Sequence, residues 1–140
     1  MSETVGTRMT KNPITLGANE SLRTAVELEL QKKIRHIPIV DAKGALVGIL
    51  TDRDIKRALP SPVVHLDEDE RERLLDETQL ARIMTRDPMT VAPGTPVAEA
   101  VRSMLAKKVG GLPVVENGKL VGIFTQGDAL RAYLERLERE

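Results

Sequence analysis

The chain has 140 residues, enough to bury about two thirds of its unfolded surface and to form one core or two small packed units. Its 21 basic and 21 acidic residues cancel, which removes any general attraction to nucleic acid or acidic lipid, and one Phe with one Tyr gives no row of rings on which bases would stack. Cysteine is absent, which excludes disulfides and thiol chemistry; the N-terminal MSETVGTRMT carries no long apolar run, and no stretch approaches the roughly 20 apolar residues of a membrane span, so a cytoplasmic protein without membrane insertion is expected.

From the N-terminus, Ile14–Leu16 reads as a short extended segment and Asn19 as a cap. Ser21–Lys33 carries helical periodicity, with Leu22, Ala25, Val26, Leu28 and Leu30 on a broad apolar face. The runs Ile37–Val40 and Leu46–Leu50 predict two strands joined by a tight turn at Lys43-Gly44. Thr51 opens a second helix, which Pro60 and Pro62 stop. Residues 60–80 then read as a joint. Within it, Asp67–Glu77 predicts a short acidic helix with Leu74 and Leu75 as its apolar residues, either a solvated linker or a docking or lid segment.

The same order then returns. Met89–Val91 is extended, Gly94-Thr95 is cap-like, and Pro96–Lys108 is helical with a stripe of Val97, Ala100, Val101, Met104 and Leu105. Leu112–Val115 and Leu120–Phe124 predict a hairpin around Asn117-Gly118, a strong turn signal between branched runs. Thr125 opens the last helix, whose Leu130, Tyr133, Leu134 and Leu137 stand at helical spacing, to cover the sheet or to cross a subunit interface.

This order reflects an internal repeat. MTKNPITL from Met9 matches MTRDPMTV from Met84, and DAKGALVGILT matches ENGKLVGIFT with one residue fewer in the turn. Each copy, about 50 residues long, reads strand, helix, strand, strand, helix. A unit of that size has little core alone, so an α/β (α+β) fold of two β-α-β-β-α repeats packed with pseudo-two-fold symmetry is expected. The expected division is repeat 1 at 1–59, an acidic linker at 60–80, and repeat 2 with the C-terminal helix at 81–140.

Gly-x-x-Thr-x-x-Asp occurs at Gly48–Asp54 and again at Gly122–Asp128. Physical chemistry leaves two readings open. In the first, Thr51 with Asp54, and Thr125 with Asp128, form helix capping boxes and nothing more. In the second, the free amides at the helix start suit a phosphate, and each carboxylate accepts hydrogen bonds from both hydroxyls of a ribose.

Taken together, MTKNPITL, IRHIPIVD and LVGILTDRDI, followed by MTRDPMTV, VGGLPVVE and LVGIFTQGDA, resemble a tandem pair of cystathionine-beta-synthase (CBS) domains, a Bateman module of the stand-alone prokaryotic type. The resemblance implies adenine nucleotides or adenosyl compounds (AMP, ADP, ATP or S-adenosylmethionine) bound in clefts between the copies. It implies that Asp54 and Asp128 take the ribose hydroxyls and that Thr51 and Thr125 support ribose or phosphate. Thr15 and Thr90 would line the clefts, and the backbone of His36, Ile37 and Pro38, and of Gly111, Leu112 and Pro113, would face the base. It also implies a homodimer whose geometry, or whose regulated enzyme or transporter, responds to ligand. A ligand-free dimerisation scaffold, in which the Thr-x-x-Asp pairs are only caps, is the alternative.

The copies differ where a ligand would bind. Arg35-His36 and Asp52-Arg53 stand opposite Gly110-Gly111 and Gln126-Gly127, and Arg53 offers a fork of donors to a phosphate, so unequal sites are expected. His36 and His65 are the only histidines and lie in different segments, so no structural zinc site is expected. No nucleophile, base and orienting group occur as a set, so neither catalysis nor a catalytic cofactor is expected. Lys32-Lys33 and Lys107-Lys108 read as helix ends.

Overall fold

A computed structural model describes residues 3–140, in chain order: α1 (Val5–Arg8), β1 (Thr10–Lys11), β2 (Leu16–Gly17), α2 (Leu22–Lys32), β3 (His36–Val40), β4 (Leu46–Thr51), α3 (Asp52–Ala58), α4 (Glu68–Glu77), a 3-10 turn at Leu80–Arg82, β5 (Thr85–Arg86), α5 (Val97–Lys107), β6 (Gly111–Glu116), β7 (Lys119–Thr125) and α6 (Gln126–Glu138). The fold is α/β with two repeated β-α-β-β-α units. Backbone contacts divide it into two compact units. One is contiguous, Ile14–Asp87; the other is split, joining the segment up to Pro13 with Pro88–Glu140.

This division differs from the expected boundaries at 1–59 and 81–140. Each copy's Met-Thr segment belongs to the unit built on the other copy. Thr10 and Lys11 pair antiparallel with Ile123 and Gly122 of β7, while Thr85 and Arg86 pair with Ile49 and Gly48 of β4. The glycines explain why. A Cβ on Gly48 would come within 2.6 Å of the Met84 sulfur and 2.9 Å of the Thr85 carbonyl oxygen; one on Gly122 would meet Met9 and Thr10 at the same two distances. The repeated glycine therefore lets a foreign strand close on the sheet.

In the contiguous unit the sheet order is β2-β3-β4-β5, with β2 parallel to β3 and the remaining pairs antiparallel. In the split unit the order is β1-β7-β6, and a parallel bridge from Val91 to Val114 stands where β2 stands in the first. The alternating side chains Ile37 and Ile39 of β3 bury against Leu22 and Ala25 of α2, with Leu50, Ile55 and Leu80. Leu112, Val114 and Phe124 do the same against Ala100 and Met104, with Val5. Val5 and Leu80 are both fully buried, and the carbonyl of each accepts from the amide of the methionine four residues on.

Other expectations are refined. The cap of α2 is Ser21, whose hydroxyl accepts from the Thr24 amide, and not Asn19; α5 has Pro96 at its cap position, with no side-chain acceptor to offer, and the Thr95 hydroxyl instead accepts from the Ala92 amide in the preceding turn. The second hairpin turns at Asn117 (φ 51°) and Gly118 (φ 78°), both left-handed as a two-residue hairpin turn demands. Leu30 and Leu105, expected on apolar helix faces, are 73% and 74% exposed, turned away from cores that Ile34 and Val109, further along the chain, still pack against. The acidic helix α4 forms with Asp67 as its cap and is not merely solvated: Arg23 of α2 holds Asp76 at 2.5 Å and also pairs with Glu72, while Leu74 and Leu75 pack on the contiguous unit's core.

Candidate functional site

Each unit sets the same four residues together at the exit of a central strand. Thr51 is extended (φ −106°) and ends β4, and its side chain caps α3. The Thr51 amide donates to Asp54 Oδ2 at 2.9 Å, and the Asp54 amide donates to Thr51 Oγ1 at 3.1 Å. This is a complete capping box with Asp in the place usual for Glu or Gln. The foreign strand adds the third element: Thr85 Oγ1 lies 3.4 and 3.3 Å from Asp54 Oδ1 and Oδ2. Gly48 is the fourth, since it admits that strand.

The split unit repeats the arrangement. The Thr125 amide donates to Asp128 Oδ2 at 2.9 Å, the Asp128 amide reaches Thr125 Oγ1 at 3.5 Å, and Thr10 Oγ1 lies 3.4 Å from Asp128 Oδ1. Thr125 Oγ1 also donates to Asp128 Oδ2 at 3.2 Å. Asp54 and Asp128 are only 9% and 4% exposed, and they are the buried charged side chains among the described residues. A carboxylate has about four lone-pair positions. The cap donors use part of that capacity, and the remainder can accept hydroxyls.

The residues named from sequence fall as follows. His36 begins β3 directly opposite Thr51, and Gly111 begins β6 directly opposite Thr125, so both stand beside a capping threonine. Ile37 and Leu112 turn their side chains into the two cores, and Pro38 and Pro113 are fully buried, so it is backbone rather than side chain that these segments have to offer. Thr15 immediately precedes β2, whose Leu16 pairs with Ile39; Thr90 immediately precedes Val91, which pairs with Val114. Neither hydrogen-bonds an aspartate among the described residues. Arg53 is exposed on the first turn of α3 and joins no ion pair among them.

Thr10 and Thr85 escaped the sequence reading as site residues. The signal was present, because Met-Thr is repeated in both copies, but only the pairing of the foreign strands brings those hydroxyls to the carboxylates.

Around the first site the electrostatics are uneven. Burial pushes the His36 imidazole below its ordinary range; Asp52 opposes that shift and Arg35 adds to it. Glu29 of α2 has one carboxylate oxygen buried without a partner, and burial, with Asp52 nearby, raises its pKa above the usual range. No cluster of three His, Asp or Glu side chains suited to a metal occurs among the described residues. Two larger hollows lie apart from the aspartates. One is a shallow polar trough along α4; the other is a groove of about 810 Å³ in the split unit, between α5 and α6, lined by Val97, Val101, Leu130 and Tyr133.

A family model for the CBS domain matches residues 3–61 and 80–135. A CBS domain-containing protein of Dictyostelium discoideum is 34% identical over 131 residues, which cover 93% of this chain and 90% of that protein. In further curated relatives the matching segment makes up less than half of a longer protein. Among solved structures, CBSX2 of Arabidopsis thaliana in complex with AMP has a TM-score of 0.79 at 32% identity, covering 96% of this chain and 98% of that one. The CBS domain pair of protein MJ0100, in complex with 5′-methylthioadenosine and S-adenosyl-L-methionine, has a TM-score of 0.80 at 31% identity, covering 97% and 99%.

Proposed function

Because the chain belongs to the CBS-domain family and carries two copies of that domain, we propose that it is a non-catalytic sensor of adenine nucleotides or adenosyl compounds. The observation that carries this reading is the pair of buried carboxylates, Asp54 and Asp128, each held at a helix start beside a threonine from a foreign strand. Relatives of the same fold bind AMP, 5′-methylthioadenosine and S-adenosylmethionine. In this reading Asp54 and Asp128 accept the ribose hydroxyls. Thr51 and Thr125 support ribose or phosphate, and Thr15 and Thr90 border the ligand. The backbone at His36–Pro38 and Gly111–Pro113 faces the base, and Arg53 meets a phosphate. Ligand then favours one conformation of a homodimer, or of a regulated enzyme or transporter, over another. The expected setting is the cytoplasm.

The alternative scaffold reading draws on one fact: both capping boxes are complete without any ligand. Thermal unfolding with AMP, ADP, ATP and S-adenosylmethionine separates the two. Sensing requires a ligand-dependent rise in Tm that falls in Asp54→Ala or Asp128→Ala, after subtraction of the cap's own contribution of about 0.5–2 kcal/mol. A Tm unmoved by all four ligands leaves the scaffold.

A further inference from the structure

We propose that Arg131 sets the ligand preference of the split unit's site, acting as a counter-ion that leaves Asp128 for an anionic group on the ligand; the proposal rests on the nucleotide reading above. Both copies carry an arginine one turn after the aspartate, Arg57 and Arg131. Only one of them reaches its carboxylate: Arg131 Nη2 lies 2.6 Å from Asp128 Oδ1, whereas Asp54 has no ion pair among the described residues. The copies also differ beside this pair. The Arg131 guanidinium rests over Gly127, where a Cβ would stand 3.4 and 3.6 Å from its two terminal nitrogens. The equivalent residue of the other copy is Arg53, which is exposed and joins no ion pair among the described residues.

The two carboxylates therefore present different chemistry. Asp128 Oδ2 is committed to the Thr125 amide and hydroxyl, and Oδ1, the oxygen left for a ligand, already holds the Arg131 guanidinium besides the long contact from Thr10. Asp54 Oδ1 holds only the long contact from Thr85. One sugar hydroxyl can take the place of the long Thr10 contact, but a ribose that sets both hydroxyls on Asp128 has to displace a charge-assisted hydrogen bond from a buried carboxylate, which is costly unless the guanidinium finds another anion. The mobile partner is the arginine: its side chain is 67% exposed, against 4% for the aspartate. A phosphorylated ligand supplies the replacement anion and a neutral nucleoside does not. The split unit's site thus penalises a neutral ligand, whereas at the contiguous unit's site Arg53, in no ion pair among the described residues, meets a phosphate without leaving a carboxylate and imposes no such penalty. An ordinary i,i+3 helix pair at this position has no bearing on ligand charge.

The test is calorimetric titration of the full chain with AMP and with adenosine. It compares Asp54→Ala, which leaves the Asp128 site, with Asp54→Ala/Arg131→Ala. The expected result is an AMP preference of about tenfold or more in the first, falling towards parity in the second, with adenosine binding held or strengthened. Should Asp54→Ala fold poorly, Arg131→Ala and Arg57→Ala in the wild-type background decide the matter, since only the former is expected to shift the AMP-to-adenosine ratio. A ratio unmoved by Arg131→Ala, or moved equally by Arg57→Ala, overturns the assignment while nucleotide binding stands. If the wild-type chain binds neither compound, the nucleotide reading fails and takes this proposal with it.

Discussion

The hydroxyl of Thr85 lies 3.3 Å from the nearer carboxylate oxygen of Asp54, although the two residues come from different copies of the repeat. Asp54 cannot acquire that neighbour from its own copy. The backbone approach that supplies it depends on Gly48.

That dependence can be measured. Gly48→Ala drives a methyl against the Met84 sulfur and the Thr85 carbonyl oxygen, the latter fixed by strand pairing. The expected loss is about 1–3 kcal/mol in urea unfolding. Because Met84 packs on the core itself, the comparison is made in a Met84→Ala background, where Gly48→Ala is expected to cost less, the sulfur contact being gone and the carbonyl one remaining. Full stability in Gly48→Ala contradicts the close approach.

The segment that leads into β5 is also anchored. Leu80 is fully buried in the contiguous unit's core, and Leu80→Ala is expected to cost about 2–5 kcal/mol. Val63→Ala, at an 87% exposed position, is expected to fall within about 0.5 kcal/mol of wild type by the same denaturation measurement.

Much of this fold can be read from local pattern. Asn117-Gly118 announces its hairpin because two consecutive left-handed residues are needed there, and Asp67 announces α4 because its side chain caps the Glu70 amide. Thr51 and Thr125 announce their boxes for the same reason. The two-residue strands β1 and β5 have no such periodicity. Their placement is decided by glycines 111 and 38 positions away in sequence from the residues they pair with, Gly122 for Lys11 and Gly48 for Arg86, and pairing at that range leaves no local signature. Asn19 and Ser21 are both good caps; only the backbone shows that Ser21 is the residue in the extended conformation before α2.

Stability should depend on pH in opposite senses through two residues near Asp52. The folded-state pKa of His36 is below its unfolded value, so the unfolded chain binds the extra proton and stability drops as pH falls below about 6.5. Glu29 is the reverse case. Its folded-state pKa is raised, so the folded chain holds the extra proton and stability drops as pH rises from the ordinary glutamate range through the raised value. His36→Gln is expected to flatten the first slope and Glu29→Gln the second in Tm measured against pH. Parallel curves for either variant and wild type remove that residue as a cause.

Asn12 and Asp87 hold left-handed backbone, with φ of 49° and 47°, each directly before a proline where the chain passes between units. Asn and Asp tolerate that region better than alanine does. Asn12→Ala and Asp87→Ala are expected to lose about 1 kcal/mol each, and the glycine variants to lose less. Equal stability of the alanine and glycine variants in urea titration shows that the backbone conformation is not the constraint.

The split of one unit around the other also imposes a timetable on synthesis. Every residue of Ile14–Asp87 has been made before Pro88 is added, whereas Thr10 waits for Ile123, its partner in β7. Closing so long a loop is slow compared with forming a hairpin. On a translating ribosome the contiguous unit is therefore expected to mature first. The oldest part of the chain, its N-terminal arm, finds its place last, and the Thr10–Asp128 contact it brings is among the final ones made.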